Sequence, residues 1–340
     1  MSSKYKVNAR NINSVTDLDF SYDVLVIIPT ANEFRGIFDE MRNALAAQDF
    51  EELKSRERGP VGTKLFAKQI GQGLIFRIAV YCENLKGNML SAAHTAYLCQ
   101  RLSPKLVISA GIAGSLDPRK AWIGDIVLPN LVENSTFDKI YQDFEGVPKN
   151  SPSVTASNSG VTFESPIRLS ARREQSWAGV TTIVGGLKLS ALNSSIAYAS
   201  HDSNSDKRKS QFNELAQAIE QRFNISAKPP EHPRIIENSI SFSWDKVLDS
   251  RDTYEYLLTS GRISEEAVCV EMESWGFLAA TELFRRGEEF DVLIVRGISD
   301  IVGCKGITDN KSHNLEGDCR QLAMSNVGRI VCHIVADRCP

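Results

Sequence analysis

Apolar residues occur along this chain in short unbroken runs, each ending in small or polar residues. Asp291-Val292-Leu293-Ile294-Val295-Arg296-Gly297-Ile298-Ser299-Asp300 is the clearest case, and Asp23 to Pro29, Lys105 to Ser115, Ile123 to Pro129, Ser239 to Val247 and Val268 to Glu271 read similarly. Runs without alternation predict strands buried on both faces, as in a parallel sheet covered by helices. Lys64 to Ile70 and Leu74 to Tyr81, separated by Gly71-Gln72-Gly73, predict a hairpin. Helical spacing appears in Ile37, Met41 and Leu45, with Thr30 or Asn32 as N-cap. Further helices are predicted in the Ala-rich stretch after Gly87, from about Val247 to Ser260 and from Gln321 to Ala336. From Tyr141 to about Pro233 the texture turns to Ser, Asn, Pro and charge, which predicts an insertion; within it Phe212, Leu215, Ile219 and Phe223 mark an amphipathic helix.

Ligands of open α/β sheets bind beyond the carboxyl ends of parallel strands, so the run ends are the first candidates for chemistry. Asp300 ends one run; Glu271 and Glu273 follow Val268-Cys269-Val270 in another. Glu33 opens the helix after the first strand, where a carboxylate also favours the helix dipole. Ser109-Ala110-Gly111-Ile112-Ala113-Gly114 closes a strand with small residues that let backbone approach a ligand. Glu83-Asn84-Leu85-Lys86-Gly87-Asn88 leads into the Ala-rich helix, whose free amides suit an oxyanion or a hydroxyl. Singly, each feature has an ordinary reading as a cap, a packing turn or a solvated carboxylate.

Composition narrows the classes. With 340 residues, 42% hydrophobic and 24% charged, the chain is an ordinary globular one. A net charge of -3 leaves no general attraction for nucleic acid or acidic membranes. The seven cysteines are odd in number, scattered and without a CxxC pair, which favours reduced thiols in a cytoplasmic protein over a disulfide frame or a metal site. No apolar run approaches the roughly 18 residues of a membrane span, and the polar opening at 1–21 reads as an arm rather than a targeting segment.

Four stretches occur together in order: Ile27 to Glu33; Ser109 to Gly114 with Ile123-Gly124-Asp125-Ile126-Val127; Val270-Glu271-Met272-Glu273; and Val295-Arg296-Gly297-Ile298-Ser299-Asp300. In that order they resemble the purine nucleoside phosphorylase and uridine phosphorylase superfamily, most closely its methylthioadenosine/S-adenosylhomocysteine nucleosidase-like branch. The likeness covers about Tyr22 to Ala336 outside the insertion. It implies an α/β fold, a three-layer α/β/α sandwich with a central mixed sheet, as one domain over 22–338 interrupted at about 141–233. It also implies a homo-oligomer that cleaves an N-glycosidic bond with no cofactor and no metal, in a salvage or a defence setting. By motif position Asp300 is the general acid that protonates N7 of a purine, Glu33 positions the attacking water, Arg296 orients that carboxylate, and Glu273 holds the ribose hydroxyls. Met272 packs on the ribose, Ser299 orients Asp300, and Glu271, Ala110, Gly111 and Ile112 line the pocket. Ser243-Trp244-Asp245-Lys246-Val247-Leu248 resembles the base-pocket strand, which assigns Val247 and Leu248 to the base. Trp244 stands where the family usually has Gly, and Leu85 where a first glycine is common; Gly124-Asp125 is a structural turn.

The residue types suit the chemistry. Cleavage places positive charge on the sugar and negative charge on the departing base, so it needs an acid at the base and a carboxylate near water or ribose. Asp300 must then be protonated when it acts, which calls for a raised pKa. Family phosphorylases hold phosphate with an arginine after strand one; here that loop ends in Glu33, which repels phosphate and suits water. Hydrolysis is therefore expected, with phosphorolysis through Arg35 as one alternative and a catalytically silent nucleotide sensor as another. The segment Ile301 to His313 has no aromatic residue, and its Lys305 and Lys311, with Lys86, are candidate 5′-phosphate contacts. Arg172-Arg173 and Lys207-Arg208-Lys209 of the insertion could add charge. The expected small-molecule partner is a purine nucleoside or nucleotide, with AMP or ATP favoured over methylthioadenosine.

Overall fold

The structure is a computed structural model that describes residues 22–53, 63–71, 74–84, 86–134, 140–142, 153–155, 161–164, 167–170, 205–260, 262–285, 291–304 and 315–339. In chain order the elements are β1 (Val24–Ile28), α1 (Ala31–Ala46), β2 (Glu51–Leu53), β3 (Lys64–Gln69), β4 (Ile75–Cys82), α2 (Asn88–Leu102), β5 (Leu106–Ser115) and β6 (Ile126–Asn134). There follow β7 (Ile140–Gln142), β8 (Ser153–Thr155), β9 (Val161–Glu164), β10 (Ile167–Ser170), α3 (Ser205–Phe223) and β11 (Ile235–Ser243). The chain closes with α4 (Arg251–Thr259), β12 (Ala267–Glu271), α5 (Ser274–Arg285), β13 (Asp291–Ile301) and α6 (Leu315–Arg338).

Every residue of β1 is buried, and its alternation divides the interior in two. Val24, Val26 and Ile28 join Ile37, Met41 and Leu45 of α1 and Val327, Val331 and Val335 of α6 in one cluster. Leu25 and Ile27 join Leu98 and Leu102 of α2 and Phe277 and Leu278 of α5 in another. At about 1.5–3 kcal/mol for each fully buried aliphatic side chain, the unalternated run is what the two helix pairs require. β1 lies parallel between β4 and β5, and the β3–β4 hairpin extends the sheet antiparallel.

The central mixed sheet expected from the sequence is present, but it does not remain open on its other side. β5 pairs parallel with β13, β13 antiparallel with β6, β6 parallel with β11, and β11 parallel with β12. β12 returns antiparallel to the end of β5, with Cys269 opposite Ser115 and Val270 opposite Gly114. These strands thus form a closed ring, and the carboxyl ends of β12 and β13 both arrive at Gly114. Within the insertion, β10 adds antiparallel to β6, while β7, β9 and β8 form a separate small sheet.

Several boundaries differ from expectation for local reasons. The strand expected from Ile123 starts at Ile126, because Gly124 (φ 92°) makes a turn and Asp125 accepts from Trp122 N (2.8 Å) and from the Arg234 guanidinium (2.6 Å). The strand expected to reach Val247 ends at Ser243, and the following helix begins only after the Ser250 N-cap, which accepts from Thr253 N. Thr30, not Asn32, caps α1. The amphipathic helix of the insertion starts earlier, at Ser205, and buries Phe212, Leu215 and Ile219 as its spacing predicts. The expectations for residues 1–21, Leu85, Arg172-Arg173, Lys305 and Lys311, and for the side chains of Lys207 and Arg208, lie outside the described residues.

One contact fixes α2 against α5. A Cβ added to Gly276 would lie 1.7 Å from the carbonyl oxygen of Asn88. Asn88 is held there by its own backbone N–H donating to Asp245 Oδ1 (2.7 Å), and its Oδ1 accepts from Ser243 Oγ (2.8 Å) and Gly276 N (2.9 Å). Gly276→Ala should therefore force the helices apart and destabilise by about 3 kcal/mol, the upper end for overpacking. An unchanged urea midpoint at constant slope would contradict the close approach.

Candidate active site

The site is built around the carboxyl half of β5. Gly111 has no side chain, and a Cβ there would lie 2.7 Å from Glu33 Oε2 and 3.4 Å from Arg296 Nη1. Any larger residue would displace one of the two groups. Glu33 stands in the first turn of α1: Thr30 Oγ1 donates to its Oε1 (2.9 Å) and the Ile112 backbone N–H donates to its Oε2 (3.1 Å). Three residues along β5, a Cβ at Gly114 would lie 3.2 Å from Asp300 Oδ2. Ser299 Oγ donates to Asp300 Oδ1 (2.7 Å). Thus the expected pairing of Ser299 with Asp300 is present, and Glu33 and Asp300 occupy the two ends of one short stretch of strand.

Arg296 takes a different partner from the expected one. Its guanidinium is wholly buried and pairs with Glu271, Nη2 to Oε2 at 3.0 Å. The same Nη2 donates to Ser109 Oγ (3.0 Å) and Ser274 Oγ (2.9 Å), and Nη1 donates to the carbonyls of Ser109 (3.1 Å) and Val295 (3.3 Å). Glu33 feels this charge across Gly111 without a hydrogen bond to it. Glu271 in turn accepts from the backbone N–H groups of Glu273 (3.0 Å) and Ser274 (2.8 Å). It is therefore the N-terminal anchor of α5 rather than a freely presented pocket carboxylate, although its Oε1 has no partner among the described residues. The anchor fixes the turn that carries Met272 and the buried Glu273.

Other expectations are corrected. Ser243 to Leu248 is not a pocket strand: past Ser243 the backbone is irregular, Val247 is 59% exposed, and Leu248 is buried in a separate core with Phe242 and Tyr254. Ala110 is packed into the core beneath β5, while Gly111 and the backbone N–H of Ile112 meet Glu33. Lys86 is exposed beside the start of α2, and its charge reaches Glu33. Sequence reasoning missed the parts that several residues play. Asn88 joins α2 to Ser243 at the end of β11 and to Asp245 just past it, and Ser109 and Ser274 complete the Arg296 cradle. Glu83 is buried directly after β4, and Arg296 and Glu33 act on its charge. Its signal was available: like Glu33 and Asp300, it is a carboxylate just past the apolar part of a strand.

Burial dominates the electrostatics. It raises Glu33 despite its hydrogen bonds to Thr30 and Ile112, raises Glu83 to about 7, and raises Glu273 to about 8 with Glu271 adding repulsion. Glu83 and Glu273 thus hold a proton near neutral pH, where the same groups in water would be ionised.

The fold defines the class: a mixed α/β protein with carboxylates gathered at strand ends. The solved 5′-methylthioadenosine/S-adenosylhomocysteine nucleosidase of Helicobacter pylori with butyl-thio-DADMe-Immucillin-A shares this fold at 15% identity and a TM-score of 0.50, over 93% of this chain and 99% of that one. The nucleosidase of Colwellia psychrerythraea 34H in complex with adenine shares it at 14% identity and a TM-score of 0.50, over 93% and 96% of the two chains. No family model matches the sequence, and no curated protein matches it.

Two substitutions separate anchor from cleft. Glu271→Ala strands a buried guanidinium and should cost about 3–5 kcal/mol. Glu273→Gln should do the reverse as pH rises. A carboxyl raised from 4.5 to about 8 in the fold binds more protons folded than unfolded, so its contribution is fully present below 4.5 and is lost as pH climbs through 8. Melting of the Gln variant should therefore gain on the parent between pH 5 and pH 8.5; a constant difference across that range would refute the assignment.

Proposed function

We propose that the protein is an N-ribosyl hydrolase that cleaves the N-glycosidic bond of a purine nucleoside or 5′-nucleotide. The observation that carries this reading is the placement of Glu33 at Gly111 and Asp300 at Gly114. Both carboxyls thereby reach the carboxyl half of β5, the end at which ligands of such sheets bind, and a ribosyl group bound there would meet an acid and a water-positioning base. Asp300, aligned by Ser299, donates its proton to the departing base as the N–C1′ bond breaks. Glu33 takes a proton from the water whose oxygen bonds to C1′, and Glu273 accepts from the ribose hydroxyls over Met272. The adenine and the immucillin analogue held by structures of the same fold support a purine as the base.

Hydrolysis is favoured over phosphorolysis by the cations. The Arg296 donors already meet Glu271, Ser109, Ser274 and Val295, so that guanidinium has no donor left to seat phosphate. The exposed Lys86, whose charge reaches Glu33, supports an anionic 5′ substituent of the AMP or ATP class, with Lys305 and Lys311 as its proposed partners.

Asp300→Asn should keep the fold and lower turnover by at least about a hundredfold, the low end for losing general acid catalysis. Wild-type turnover should be indifferent to added phosphate and should release no ribose 1-phosphate; a phosphate requirement would move the protein to the phosphorylases. Lys86→Ala should lower kcat/KM for AMP and ATP about fivefold or more while sparing adenosine, in line with the loss of one charge-assisted hydrogen bond. Equal effects on charged and uncharged substrates would remove the 5′-phosphate assignment.

A further inference from the structure

Glu83 is the carboxyl that this mechanism leaves without a task. It follows β4 as Glu33 follows β1, and its backbone N–H donates to the carbonyl of Ile28, the last residue of β1 (2.9 Å). Its side chain is 4% exposed, and Oε1 has no hydrogen-bond partner among the described residues. Ser91, from the first turn of α2, donates to the carboxyl. Arg296 of β13 and Glu33 of α1 act on its charge, and Glu83 acts on Glu273 at the end of β12. Buried oxygens rarely stay unpaired, and this one shares its electrostatic surroundings with the residues that line the cleft.

We propose that Glu83 is a specificity-determining residue of the same site, its unpaired oxygen accepting a hydrogen bond from a hydroxyl of the substrate's sugar, so that Glu83 and Glu273 hold the sugar together. The inference rests on the nucleosidase reading for the presence of a ribosyl group in this cleft. A hydroxyl is the fitting partner because it donates to a carboxylate and accepts from a neutral carboxyl. Burial lifts Glu83 to about 7 and Glu273 to about 8, so both forms occur near neutral pH. An ammonium ligand can only donate, so it could not accept from the neutral carboxyl's O–H.

The test measures equilibrium binding of adenosine, 2′-deoxyadenosine and 3′-deoxyadenosine by calorimetry in the Asp300→Asn protein, alone and combined with Glu83→Gln or Glu83→Ala. Glu83→Ala should weaken adenosine about tenfold and one deoxy ligand less than twofold. Glu83→Gln, which retains an acceptor of the same shape, should lose less. Adenosine affinity of the parent should tighten as pH rises through about 7, because hydroxyl donation favours the ionised form, and Glu83→Gln should abolish that step while leaving any dependence near 8. Equal losses for all three ligands, no loss, or an unchanged pH step would overturn the proposal; circular dichroism identifies a variant that has merely unfolded, and the isosteric Gln variant then decides through its pH profile. If the parent binds all three ligands but wild type cleaves none of them, nor AMP or ATP, the hydrolase reading falls while the role of Glu83 is still decided. Binding of none of the three, nor of AMP or ATP, overturns both.

Discussion

The Arg296–Glu271 ion pair is the constraint on which the rest of the site depends. Removing a guanidinium from water costs several kcal/mol unless its donors are met, and here the acceptors come from β5, β12, β13 and the first residue of α5. Those elements can satisfy the cation only in one relative placement. The same Glu271 oxygen also takes the first amides of α5, so the bend through Met272 and Glu273 is fixed by the group that neutralises the arginine. Gly111 completes the arrangement by leaving room for Glu33 on the cation's other side.

Around this guanidinium stand Glu33, Glu83, Glu271 and Glu273, with the exposed Lys86 also acting on Glu33. One guanidinium cannot stabilise four buried negative charges, and the pair with Glu271 consumes most of its effect. The remaining carboxyls respond by taking up protons more readily, as the raised values of Glu33, Glu83 and Glu273 express. Such groups exchange hydrogen bonds with hydroxyls and water near neutral pH, whereas fully ionised ones would repel each other.

Ring closure sets the other half of the cleft. Because β12 turns back onto the end of β5 while β13 follows β5 in parallel, Val270 and Asp300 both lie against Gly114. The turn just past Asp300 is secured from the insertion: Phe212, Leu215 and Ile219 of α3 pack with Ile301, Cys304 and Trp122. A segment that interrupts the sheet in sequence thereby supports the residue that ends β13.

Local pattern along the chain accounts for part of this architecture. Unalternated runs announced β1, β5 and β13, the spacing of Phe212, Leu215 and Ile219 announced α3, and the carboxylates at run ends marked Glu33, Asp300 and Glu273, because strand burial and helix periodicity are short-range properties. Pairings between distant segments were not legible in that way. That Arg296 would bond Glu271 rather than Glu33, that Asp245 would hold Asn88 instead of continuing a pocket strand, and that β12 would close onto β5 were decided only by the tertiary structure. The reason is physical: a buried charge selects its partner by which geometry satisfies all its hydrogen bonds at once, and that geometry exists only after the strands have met.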